Sequence, residues 1–176
     1  MHPLAARRTR AYARDCVRYL AITVATAPLS ALAEKAHERG RSREFAWVVS
    51  AVPPLIATVV AARGEARSGT TAGKRHHGLR VVSAEGAAVG TERSLLRNVV
   101  KIAVPWQLGH MVAVESAFGG LERRDPLTIT AAVVSYTLPA VMIAFVCGAQ
   151  GRALHDRIAG TTVLPAGRPA GSAPSS

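Results

Sequence analysis

Long apolar stretches alternate with strongly basic ones along the chain, and four of them approach the roughly 20 residues that a spanning helix needs. Residues 19–33 are uncharged but short, so a span over about 17–33 requires Arg18 to reach outward to the interface. Residues 45–62 form the second stretch. The third, about 101–120, reaches full length only by taking in Glu115, and the fourth, about 127–148, lies within the charge-free run 126–151. Each stretch contains proline (Pro28, Pro53 and Pro54, Pro105, Pro139), which membrane helices tolerate when neighbours re-satisfy the freed carbonyls. Ala140, Ala144 and Gly148 recur at four-residue spacing and suit close helix packing. The pattern predicts an all-α membrane protein, a bundle of four transmembrane helices.

Basic residues set the orientation. Five precede the first span, four lie in 34–44 among three glutamates, eight in 63–101, two near Arg123, and three after the fourth span. The first, third and fifth segments are heavy, which puts both termini and the 63–101 loop in the cytoplasm. The formal charge of +11 would suggest nucleic acid in a soluble chain. Here the charges fall between apolar runs and the mean hydropathy is +0.18, so the expected partner is the bilayer and its anionic headgroups, not nucleic acid. A homo-oligomer or a protein partner also fits a chain with only four spans. A second reading of the N-terminus is open: Ser30-Ala-Leu-Ala33 after a short apolar run has the form of a signal-peptide cleavage site within 1–33.

At 100° per residue Arg7, Arg10, Arg14 and Arg18 share one face of the first helix. Arg8, Tyr12, Asp15 and Tyr19 share another. The first face suits lipid phosphates and the second suits other helices. Asp15 needs a partner at the membrane boundary. Arg8 is two turns away, so Arg18 or a residue from elsewhere in the chain is better placed.

In the long loop, Gly78–Ser83, a turn at 84–86 and 87–89 read as a small β-hairpin. Thr91 suits a helix cap, with Glu92 in the first turn. Gly69-x-x-x-Gly73-Lys74-Arg75 is one residue short of a phosphate loop and lacks its Ser or Thr. Residues 164–176, rich in Pro, Ala, Gly and Ser, read as a disordered tail. Cys16 and Cys147 form no metal or redox motif, the histidines are scattered, and no catalytic arrangement stands out. No enzyme, cofactor or metal is expected. His110 and Glu115, buried in the third span, are candidates for a proton or ion path; a neutral histidine bonded within the bundle is the other reading.

Four motifs in order resemble the RDD family of bacterial membrane proteins. Arg8-Thr-Arg-Ala-Tyr-Ala-Arg-Asp15 is similar to its Arg-x-x-Ala-x-x-x-Asp opening, and Thr71-Ala-Gly-Lys-Arg-His-His-Gly-Leu-Arg-Val81 to its loop motif. Arg93-Ser-Leu-Leu-Arg-Asn98 and Arg152-Ala-Leu-His-Asp-Arg-Ile-Ala-Gly-Thr161 are similar to its later segments. Arg10, Arg14, His76 and His77 depart from the family's apolar residues. The resemblance spans 7–163, within a domain of 1–163, and its name-giving residues map to Arg8, Asp15 and Asp156. It implies a multi-pass protein of the bacterial plasma membrane, and, because some members are linked to sodium/proton antiport, a transport-related role moving protons or small cations. The other function class is a scaffold or partner- and lipid-binding subunit, with Gly73, Lys74, Arg75, Gly78 and Arg80 presenting the loop. Asp15 and Asp156, on one side of the bilayer, could meet through Arg8, Arg152 or Arg157, either to staple the first helix to the last or to bind a cation.

Overall fold

The computed structural model describes residues 2–36 and 42–167. Seven α-helices and a two-stranded sheet follow one another there: α1 (Ala5–Ala36), α2 (Arg43–Ser68), α3 (Ala72–His76), β1 (Leu79–Ser83), α4 (Thr91–Asn98), α5 (Val104–Ala117), α6 (Pro126–Cys147), α7 (Leu154–Ile158) and β2 (Thr161–Pro165). A π-helical turn, Val99–Ala103, joins α4 to α5.

Helices α2 and α6 are long and apolar enough to cross a membrane, each with a mean hydropathy of 2.0 over its best window. At 22 residues α6 is about 33 Å long, close to the hydrocarbon thickness of a bilayer. Only 6% of its apolar window is buried, so it is not the core of a soluble fold. Leu127, Val133, Tyr136 and Ile143 point outward, where a soluble protein would place polar groups. Ser42 starts α2 by accepting from the Phe45 N–H, and Gly69, left-handed at φ 66°, ends it. Asp125 starts α6 by accepting from the Thr128 N–H and hydroxyl at 2.8 and 2.7 Å.

Among the described side chains of α1 the buried ones are Ala5, Arg8, Ala11, Asp15 and Tyr19, one stripe of helical period. Arg7, Arg10, Arg14 and Arg18 lie on its exposed side. The second of the two expected faces does turn inward, except that Tyr12 is 41% exposed. On α2 the buried positions recur every fourth residue, Pro53, Ala57, Ala61 and Glu65, which lets a flat seam of small side chains approach the neighbouring helices. Tyr19, Ala57, Ala61 and Ile102 form one core, with Trp106 packed against it.

The π turn ends two residues before Pro105. A proline has no N–H for the carbonyl four residues back, and its ring crowds that carbonyl; a widened turn absorbs the misfit. It also turns two successive residues, Lys101 and Ile102, into the protein.

The sheet differs from the expected hairpin. β1 is present and a turn closes after it, with Ser83 N–H bonded to Ala87 O at 2.9 Å. Its partner, however, is β2, antiparallel in the register Leu79↔Pro165 to Ser83↔Thr161. The segment Thr161-Thr-Val163 is β-branched throughout and fits a pleated surface, whereas Ala87-Ala-Val89 has only Val89 of that kind. Val89 instead packs with Leu79, Val81 and Val163 on Ala11 of α1. Strand β2 takes in Leu164 and Pro165, which the sequence reading gave to the tail; residues 168–176 lie outside the described residues. Helix α4 is preceded by Gly90, with no side-chain cap, and Thr91 is its first residue, not its cap.

The start of α1, the end of α2, the start of α5 and the end of α6 meet at one end of the molecule. His2 N–H bonds Cys147 O at 3.2 Å there. Arg43 and Glu115 meet at the opposite end.

Candidate functional site

At the first of these ends lies a cluster of ionised side chains withdrawn from solvent. Asp156 is fully buried on α7, where the chain turns back after α6. Arg8 donates to its Oδ2, and Arg97 reaches Oδ1 through Nε and Nη2, each at 2.9 Å. The Ala153 N–H adds a bond at 3.0 Å. Arg97 continues to Glu65 through Nη1 at 2.5 Å, and Glu65 also accepts from Lys74 Nζ and Asn98 Nδ2, each at 2.8 Å. Arg8 donates as well to the Gly151 carbonyl. Helices α1, α2, α3, α4 and α7 are thereby joined through two carboxylates.

Asp15 stands apart from this group. It accepts from the Thr71 hydroxyl at 2.5 Å and from the Gly73 N–H at 2.7 Å, and so binds the first turn of α3 rather than any arginine. The two family aspartates therefore do not share a guanidinium. Arg152 and Arg157, the other bridges considered, donate to Thr161 O, Arg152 O and Gln150. Gly73 has no room for a side chain: an added Cβ would be driven into the Ala11 carbonyl and lie 2.8 Å from the Asp15 carboxyl. Lys74 is buried on Glu65 and cannot face a partner, while Arg75 is exposed. Gly78, at φ 59°, supplies the left-handed turn out of α3, where Arg7 donates to the His77 carbonyl at 2.6 Å. Arg80 is placed on β1 opposite Leu164.

His110 and Glu115 are in use too. Indole N–H groups only donate, so Trp106 Nε1, 3.0 Å from His110 Nε2, makes that nitrogen an acceptor. Nδ1 then carries the hydrogen towards Ser50 O at 2.7 Å. Glu115 accepts from Trp47 at 2.9 Å and pairs with Arg43 at 3.1 Å. Among the described residues no three His, Cys, Asp or Glu side chains converge as a metal site would require.

Burial alone would raise the Asp156 carboxyl, but Arg97 and Arg8 overcome it and hold it far below the usual carboxylate range. Burial, reinforced by Arg97, pushes the neighbouring His155 well below its ordinary value, so its imidazole is neutral at pH 7. The sign of the linkage follows. A histidine that stays neutral when folded but protonates near 6.5 when unfolded leaves the unfolded state with more bound protons on acidification. Its contribution is whole above pH 6.5 and shrinks as the pH falls below that. The detergent-solubilised protein is therefore expected to melt lower at pH 5 than at pH 7.5, and His155→Leu to flatten that dependence. An unaltered slope in the variant would refute the assignment.

Glu65 was absent from the sequence-derived candidates because the second apolar run was closed at Arg63. Continued to Gly69, the four-residue repeat through Pro53, Ala57 and Ala61 lands on it.

The chain matches the family model described as the RDD family over residues 3–160, and it belongs to that family. No curated protein and no solved structure matches it.

Proposed function

We propose that this RDD-family membrane protein is a four-pass protein of the bacterial plasma membrane, with both termini and the 63–101 loop cytoplasmic. In this reading it is a lipid- and partner-binding subunit, with neither a catalytic role nor an ion path of its own. Four passes are supported by the directions of the helices, since α1 and α5 start at the end where α2 and α6 finish. Helical residues 99–117 lengthen the third pass across the π turn. The basic segments gather at the same end, as cytoplasmic ones do. Exposed Arg7, Arg10, Arg14, Arg63, Arg67 and Arg75 suit anionic headgroups or an acidic partner there. Residues 1–33 stay in the mature chain, because cleavage would strip Arg8 and Asp15 from their partners.

One observation carries the choice: each acid expected on an ion path is already occupied by donors. A cation arriving at Asp156 would have to displace Arg8 and Arg97, leaving Arg8 buried without a counter-ion and Arg97 with Glu65 alone. The transport reading keeps a single favourable feature, the polar seam of Ser50, Gln107 and His110 between α2 and α5, where Gln107 Oε1 has no partner.

Liposomes holding the purified full chain, under imposed proton and sodium gradients, test the two. No flux above that of protein-free vesicles is expected. Flux that disappears in Asp15→Asn or Asp156→Asn, with the variant inserted at normal levels, would overturn the subunit reading in favour of transport.

A further inference from the structure

A cavity of about 170 Å³ lies between the first turns of α1, the π turn and the second half of α6. Its wall is apolar, formed by Pro105, Pro139, Ile143 and their neighbours. Its other end is cationic. Arg8, Lys74 and Arg97 line it, but these are committed to Asp156 and Glu65. Lys101 is not. Its Nζ is buried, has no hydrogen-bond partner, and rests 4.9 Å from the centroid of the Tyr12 ring. His155 Nδ1, also buried and lining the cavity, is unpartnered too.

The charges do not close around this point. Even counting Asp15, four cations (Arg8, Lys74, Arg97, Lys101) meet three carboxylates. Asp15 and Glu65, the carboxylates whose field reaches Lys101, are already spent on Thr71 and Gly73 and on Lys74, Arg97 and Asn98. A buried amine with no acceptor of its own suits an incoming anion, which holds it in the ammonium form.

We propose that the cavity seats the headgroup of one anionic phospholipid, its phosphodiester accepting from Lys101 and its acyl chains lying along Pro139 and Ile143. The π turn aims the ammonium, at the cytoplasmic start of the third pass, which is the depth of lipid phosphates. The exposed apolar side of α6 continues the wall outward into lipid. The inference rests on the lipid-binding reading above and names its partner.

The full chain in nanodiscs of mixed phosphatidylcholine and phosphatidylglycerol, ejected and weighed by native mass spectrometry, tests it. One phosphatidylglycerol should be retained with about a tenfold preference over phosphatidylcholine. Lys101→Met should abolish the preference and Lys101→Arg keep it, while Ile143→Trp, on the apolar wall, should reduce total retention. Arg123→Gln, at the opposite end, should change nothing. Should Lys101→Met fail to fold, Ile143→Trp and the wild type decide. Equal retention of the two lipids by the wild type would overturn the proposal, as would an unaltered preference in Lys101→Met. Release of the lipid by inorganic phosphate would overturn it in favour of a soluble anion. Flux in the same bilayers would defeat the subunit reading while leaving the lipid seat standing.

Discussion

Replacing Asp156 by Asn should cost the folded protein about 3–5 kcal/mol, the loss that follows when one partner of a buried ion pair is removed. The substitution keeps the shape and deletes the charge. Arg8 then has only the Gly151 carbonyl and Arg97 only Glu65. The expected result is a sharp fall in membrane abundance, together with a lower melting temperature in detergent. Adding Arg8→Leu should recover part of the loss, because it removes the one charge left without a carboxylate. A variant that inserts and melts like wild type but has altered flux would show that the carboxylate serves a transported ion rather than the fold.

The second large effect is expected at Gly73. Here the cost is steric. The α3 backbone lies directly against α1, so Gly73→Ala must push the two apart. That movement also breaks the bond from the Gly73 N–H to Asp15. Overpacking of this kind costs about 1–3 kcal/mol, and the loss of a buried carboxylate's donor places this site at or above the upper end. Thermal unfolding of Gly73→Ala beside Gly90→Ala gives the contrast, since a Cβ at Gly90 meets nothing within 4 Å. Equal melting temperatures would contradict the close contact.

The periodicity of apolar residues was enough to find α2 and α6, because a bilayer demands long runs without charge and those two meet the demand outright. An uncharged run located α1 over its second half, and the helical spacing of Arg8, Asp15 and Tyr19 gave its inward face. Pairing was less legible. Asp15 and Asp156 have the same residue type and fall on the same side, which suggested a shared guanidinium. The chosen partners depend on where the 63–101 loop folds, and no local rule fixes that. The β1 partner was misjudged for a related reason: a nearby turn made 87–89 the economical choice, whereas the better strand former lies about 80 residues on from β1. His110 illustrates the reverse case. Its place in an expected span made it a proton candidate, but its two ring nitrogens are taken by Trp106, one turn back on the same helix, and by Ser50 of α2, which only the three-dimensional packing brings near.

The cluster around Asp156 also has an order in time. Arg8, Glu65, Lys74 and Arg97 are all made before α7 and β2, which follow all four apolar stretches. Until residues 156 and 161–165 emerge, Arg8 has no carboxylate, Arg97 has half of its acceptors, and β1 has an open edge. A segment made after all four apolar stretches therefore locks α1, and a chain interrupted near residue 150 would leave Arg8 without a carboxylate, a mark by which quality control tells such chains from folded ones.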